Sequence, residues 1–131
     1  MSSNRKSSRP VNINLLKISL PMSAMSSITH RLSGMYIFFI TLPLSLLLLN
    51  FTTFSEQEFI AVQILFINSL FFRTFVSFSL LVFIYHLLTG FRHLLMDFHI
   101  GESLKAAQAS SVLVFSVWGL LAIYVWLEVI I

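Results

Sequence analysis

The sequence lacks cysteine altogether and is poor in charge, with only five acidic residues among 131. The absence of cysteine excludes disulfides, thiolate zinc sites, iron–sulfur ligation by this chain and a catalytic thiol. Charged residues make up 10% of the sequence, whereas a soluble domain has about 25%. The hydrophobic fraction is 57% and the mean hydropathy is +0.92. This is the composition of a membrane protein with a single domain.

Three apolar runs are long enough to cross a bilayer, which takes about 20 residues. We predict an all-α membrane protein with a surface segment at 1–22 and a three-helix transmembrane domain at 23–131. The helices are expected at about 23–50, 63–95 and 108–131. Pro43 falls inside the first helix, where a bilayer helix tolerates it with a kink. The second run is longer than a minimal span and is expected to tilt or to begin outside the bilayer.

The distribution of charge predicts the orientation. Lysine and arginine flank the first run on its N-terminal side and recur between the second and third runs, at Arg5, Lys6, Arg9, Lys17, Arg31, Arg92 and Lys105. The loop between the first two runs carries only the acids Glu56 and Glu58. The positive-inside rule therefore places the N-terminus inside and the C-terminus outside. The basic flank indicates contact with a membrane surface rather than with nucleic acid.

One histidine is expected at membrane depth. No charged residue occurs from Thr74 to Tyr85, immediately before His86. On a helix, His86, Gly90 and His93 share one face with Asp97. An imidazole in hydrocarbon needs a partner, which is either a haem iron or a polar group on another helix. We favour the iron-ligand role, with Gly90 allowing close approach of a flat ring or a second helix.

The chain itself offers no evident second axial ligand. His30, His93 and His99 are expected nearer the membrane surface than His86. If His86 binds iron, a second subunit is therefore expected to supply the opposite ligand. The alternative partner of His86, a polar group across a helix interface, stays open at this point.

A second polar cluster lies at the inside end of the first helix. Ser27 and Arg31 are one turn apart, and His30 is beside them. Arg31 either snorkels to lipid phosphate or, with a hydroxyl beside it, polarises a carbonyl oxygen; the spacing does not decide between the two. For Arg92 and His93 the interfacial interpretation is the stronger one, and Asp97 is positioned to pair with His93.

Three segments carry a resemblance to a known family: R-P-V-N-I-N-L (9–15), S-S-I-T-H-R-L-S-G (26–34) and H-L-L-T-G-F-R-H-L-L-M-D (86–97). With these motifs, in this order and over nearly its whole length, the chain resembles the cytochrome b556 membrane-anchor subunits of succinate dehydrogenase, respiratory complex II. Thr29 departs from the family pattern, which usually has an apolar residue before the His-Arg pair.

The resemblance implies roles for individual residues. It makes His86 the axial ligand of a haem b shared with a second anchor subunit. It places His30, Arg31 and His93 near the haem propionates, and Ser27 with Arg31 at the ubiquinone pocket. The implied partners are the second anchor subunit, an iron–sulfur subunit and a flavoprotein subunit, together with lipid and ubiquinone. Succinate oxidation would belong to the flavoprotein, so no catalytic activity is expected from this chain alone.

The implied location is the bacterial cytoplasmic membrane, with the mitochondrial inner membrane as the alternative. Two other functions remain open. The first alternative is an anchor of a fumarate reductase. The second is a three-span scaffold or small transport component without haem, in which the histidines would pack helices or relay protons.

Overall fold

The computed structural model describes residues 19–130, which are helical without any strand. The elements are α1 (Met22–Tyr36), a π-helical turn (Ile37–Thr41), α2 (Leu42–Phe54), α3 (Glu56–Asn68), α4 (Leu70–Asp97) and α5 (Leu104–Ile130). The all-helical prediction is confirmed for this part of the chain. The predicted surface segment 1–22 lies outside the described residues except for its last four positions, as does the whole of the 9–15 motif.

Three helices are long and apolar enough to cross a membrane: Met22–Phe54, Leu70–Asp97 and Leu104–Val129. This confirms the three predicted spans. The first has 33 residues, about 50 Å of helix, which exceeds a hydrocarbon core of about 30 Å. Only 6–17% of the apolar window of each span is buried inside the chain. Large apolar side chains therefore stay uncovered, as with Phe71 at 82% exposure.

Pro43 shapes the middle of the first span. Proline has no backbone N–H, and its ring crowds the carbonyl one turn earlier. The helix widens just before it into the π turn Ile37–Thr41, where the Leu42 N–H bonds to the Ile37 carbonyl, five residues back. The helical backbone consequently continues from Met22 to Phe54. The sequence predicted a kink at this position, and the structure accommodates proline by a local change in helix pitch.

The predicted second helix, 63–95, is divided by Ser69. Residues 63–68 belong to α3, and the transmembrane helix α4 begins at Leu70. Ser69 has an extended backbone, and its side chain accepts a hydrogen bond from the Phe72 N–H at 3.2 Å, which caps α4. Asn68 and Ser69 form a short polar interruption between two apolar runs, and the prediction of one continuous helix overlooked it. The outer spans also extend past their predicted limits, to Phe54 and from Leu104.

Small polar residues line the packing of α1, α4 and α5. Ser26, Thr89 and Ser111, one from each helix, are fully buried. Small side chains let membrane helices approach closely. The Trp118 indole N–H donates to the Leu81 carbonyl at 2.9 Å, joining α5 to α4. α1 also packs against α4, and the candidate site lies in that contact.

Candidate functional site

Three histidines from two helices meet at the packing of α1 against α4. The rings of His30 and His86 are stacked, with centroids 4.1 Å apart and planes 13° apart. The rings of His30 and His93 are tilted, with centroids 5.1 Å apart. The predicted common face of His86 and His93 on α4 is consistent with this arrangement. The sequence did not predict that the rings of His30 and His86 are in contact, which limits any difference in their depth to a few ångströms.

His86 is held by α1 through one ring nitrogen. Its Nδ1 lies 2.9 Å from the Ser33 hydroxyl oxygen and 3.2 Å from the His30 carbonyl oxygen. The same ring lies against Gly34, where an added Cβ would be 3.0 Å from the His86 Cε1. Ser33 and Gly34 thus form a seat for the imidazole. Sequence reasoning missed this seat, although the spacing of three and four residues from His30 places Ser33 and Gly34 on the same helical face.

Gly90 opens the space that His30 fills. A Cβ at position 90 would lie 3.4 Å from the His30 Nε2. The sequence predicted the close approach of a flat ring or a second helix at Gly90, and within this chain the group found there is the His30 imidazole of α1. That Nε2 atom is buried and has no hydrogen-bond partner among residues 19–130.

Arg31 directly follows His30 on α1, and Ser27 lies one turn before Arg31. Arg31 is exposed and Ser27 is half-buried. Within the described part of the chain, neither side chain forms a hydrogen bond or an ion pair. The sequence expectation that they are near each other on α1 holds by helical spacing. Within residues 19–130, neither side chain has a hydrogen-bonding partner on α4 or α5. Both can therefore bind a molecule outside this chain.

Arg92 is buried against α5, and its position at the membrane surface stays a prediction. The side chain is 5% exposed. Its Nε donates to the Ser110 hydroxyl at 2.9 Å and its Nη2 donates to the Ala107 carbonyl at 2.8 Å. Arg92 therefore fastens α4 to α5. The proposed pair of His93 with Asp97 is not formed as a hydrogen bond or ion pair in residues 19–130.

Thr29, the departure from the family pattern, has a partner on α4. Its hydroxyl donates to the Met25 carbonyl at 2.7 Å and lies 2.5 Å from the Tyr85 hydroxyl. Because Thr29 precedes His30 and Tyr85 precedes His86, this bond joins the two helices beside the stacked rings. The Thr29 hydroxyl thus takes part in the contact between α1 and α4.

The geometry of His86 fits an axial ligand of haem iron. Its Nδ1 is engaged by two oxygen atoms of α1, while its Nε2 has no hydrogen-bond partner within residues 19–130. Such an outer hydrogen bond to the second nitrogen is the usual arrangement of metal-ligating histidine. No group of three or more histidine or acidic residues that could hold a bare metal ion occurs in the described residues. A single imidazole suits a haem, whose porphyrin supplies the remaining equatorial ligands.

Comparison with known proteins agrees with the sequence resemblance. Residues 5–126 match a family described as succinate dehydrogenase/fumarate reductase transmembrane subunit. A succinate dehydrogenase cytochrome b556 subunit of Coxiella burnetii is 36% identical over 109 residues, covering 83% of this chain and 86% of the relative. The succinate dehydrogenase cytochrome b560 subunit of Porphyra purpurea is 35% identical over 68% of this chain and 71% of its own length. That of Cyanidium caldarium is 37% identical over 68% and 70%.

Proposed function

The chain belongs to the succinate dehydrogenase/fumarate reductase transmembrane subunit family, and we propose that it anchors a succinate:quinone oxidoreductase, binds haem b through His86 and contributes to the ubiquinone-reduction site. Its relatives are named as cytochrome b subunits of succinate dehydrogenase. The observation that carries the haem assignment is the engagement of His86 Nδ1 by α1, which leaves Nε2 for iron.

His30 cannot complete the iron coordination from within the chain. If His86 holds the haem through its Nε2, a second protein ligand would come from a residue that is not stacked on the His86 ring. His30 instead lies over the face of that ring, at 4.1 Å and nearly parallel to it. We therefore assign the second axial ligand to a second anchor subunit. The haem, when bound, supplies one-electron storage within the membrane. His30 and His93 lie on one side of His86 and are the proposed neighbours of the haem propionates, together with Arg31.

Ser27 and Arg31 are the proposed quinone contacts of this chain. Both lie on α1 one turn apart, and neither is engaged by other residues of the described chain. The serine hydroxyl and the guanidinium N–H groups can donate to a quinone carbonyl oxygen. The fixed positive charge of Arg31 stabilises negative charge that develops on that oxygen during reduction. Protons and electrons would come from outside this chain, so the chain alone is expected to have no activity.

The arrangement in the membrane follows from the three spans. An odd number of crossings puts the two ends of the chain on opposite sides. We propose that the N-terminus is inside, because Arg31, Arg92 and Lys105 occur at one end of the bundle and Glu56 and Glu58 at the other. The proposed location is a bacterial cytoplasmic membrane. Lipid and the second anchor would cover the exposed apolar faces, and the iron–sulfur and flavoprotein subunits would complete the complex on the inside.

The haem assignment is tested on the purified complex. The parent complex is expected to show a Soret band in proportion to the amount of this chain. The His86→Ala variant is expected to lose that band while the complex still assembles. His99→Ala is the matched control, because His99 lies in an exposed loop and pairs with Glu102 at 2.7 Å. A well-assembled complex without haem, or a band that persists in His86→Ala, would favour the scaffold function instead.

A further inference from the structure

Ser33 has only one hydroxyl hydrogen, and a neighbouring carbonyl uses it. The Ser33 hydroxyl donates to the His30 carbonyl oxygen, three residues earlier on α1, at 2.7 Å. Ser33 is 7% exposed, so bulk solvent does not compete for the group. Toward any other polar atom, the Ser33 oxygen therefore acts as an acceptor. Among residues 19–130, the other polar atom that hydrogen-bonds to the Ser33 hydroxyl is the His86 Nδ1 at 2.9 Å.

The His86 Nδ1 consequently faces two acceptors. One is the Ser33 oxygen, and the other is the His30 carbonyl oxygen at 3.2 Å. A nitrogen lone pair directed at two oxygen lone pairs would be repulsive, whereas an N–H satisfies both oxygens. Neutral imidazole carries one proton, so placing it on Nδ1 leaves the lone pair on Nε2.

We propose that Ser33 is a positioning residue that fixes His86 in the Nδ1–H tautomer and orients its Nε2 lone pair toward the haem iron. This inference rests on the proposed function, in which His86 is the axial ligand. Gly34 completes the seat, because the ring occupies the space that a larger residue at position 34 would fill. The hydrogen bond from Nδ1–H also makes the imidazole a stronger electron donor, which favours the oxidised iron.

The test replaces Ser33 in the assembled complex and measures the haem rather than turnover. Ser33→Ala removes one of the two acceptors and leaves the His30 carbonyl. The midpoint potential of the haem is expected to become more positive, and the affinity for haem to fall about tenfold or more. Ser33→Thr keeps a hydroxyl and is expected to restore both values toward the parent. Redox titration followed at the Soret band measures the midpoint potential, and the haem content per complex reports the affinity for haem.

Ser45→Ala is the matched control. Ser45 is an exposed serine of α2 whose hydroxyl donates to the Thr41 and Leu42 carbonyls, at 2.8 and 3.0 Å. Ser45→Ala also deletes a hydroxyl bonded to its own helix, and among residues 19–130 that hydroxyl forms no hydrogen bond with a histidine. The potential and haem content of Ser45→Ala are expected to equal those of the parent. A shift as large as that of Ser33→Ala would overturn the proposal.

The outcomes separate this inference from the proposed function. If the parent has no haem, or if His86→Ala keeps it, the haem function itself is wrong. If His86→Ala loses haem while Ser33→Ala keeps the parental potential and content, only the role of Ser33 is overturned. If Ser33→Ala does not assemble, Ser33→Cys takes its place, since a thiol is a weak acceptor. The midpoint potential of the haem in Ser33→Cys is expected to shift in the same direction as in Ser33→Ala. If Ser33→Cys has the midpoint potential of the parent, the proposal is also overturned.

Discussion

The imidazole of His30 lies flat on the imidazole of His86, with 4.1 Å between ring centroids. The contact joins α1 to α4 and covers one face of the proposed haem ligand. His30→Ala removes the covering ring but keeps the His30 carbonyl that bonds to His86. We expect haem to be retained but released at a lower temperature, with a loss of about 1–3 kcal/mol in stability. Thermal release of haem, followed at the Soret band, measures this.

His30→Phe restores a flat ring over His86 and is the companion variant for that experiment. It is expected to release haem at a temperature closer to the parent than His30→Ala does. Parental behaviour of His30→Ala would show that the stacked ring contributes nothing to the site.

Gly34→Ala tests the seat of His86. The added Cβ would lie 3.0 Å from the His86 Cε1, so the ring must shift or α1 and α4 must separate. We expect overpacking of this kind to cost about 1–3 kcal/mol and to reduce the haem content. Gly119→Ala on α5 is the control, since a Cβ there meets no atom within 4 Å. Equal haem content in the two variants would contradict the prediction.

Arg31→Ala and Ser27→Ala test the proposed quinone contacts. Loss of a hydrogen bond from a charged group removes about 1.5–3 kcal/mol, so quinone reduction by Arg31→Ala is expected to fall roughly 10- to 100-fold. Succinate oxidation with an artificial electron acceptor is expected to stay at the parental rate in both variants. Arg31→Lys keeps the charge without the planar fork of donors, and an intermediate rate is expected. Equal loss of both activities would argue against a quinone role.

The hydrogen bond between Thr29 and Tyr85 is suited to a double-mutant cycle. Thr29→Val and Tyr85→Phe each remove one hydroxyl while keeping the shape of the side chain. The coupling energy is expected to be about 0.6 kcal/mol, and at most about 1.7 kcal/mol, as for other hydrogen bonds between membrane helices. Thermal unfolding of the four proteins in detergent measures it. Strict additivity of the two single changes would mean that the bond adds nothing.

The sequence predicted those features that depend on spacing along one helix. Hydropathy located the three spans, and the seven-residue separation placed His86 and His93 on one face of α4. The sequence could not predict the partner of His86. Ser33 is 53 residues away from it, and the contact depends on how α1 packs against α4. The contact of Arg92 with α5 was missed for a similar reason, since it depends on how α4 packs against α5.

The break at Ser69 was hidden for a different reason. Hydropathy is averaged over a window of residues, and the apolar residues around Asn68 and Ser69 outweigh these two polar ones. A single serine that caps a new helix changes hydrogen bonding rather than hydropathy. The π turn before Pro43 is likewise a matter of backbone hydrogen bonds, which a kink prediction from proline alone does not specify.

The seat formed by Ser33 and Gly34 has a consequence for binding entropy. An imidazole free to rotate about its two side-chain bonds loses that freedom when it is captured, at a cost on the order of 1 kcal/mol. The packing of α1 against α4 already immobilises His86 in the described chain. A ligand that binds the His86 Nε2 therefore binds an imidazole that is already held in place. Less of the binding free energy is lost to ordering the side chain, so the affinity is higher.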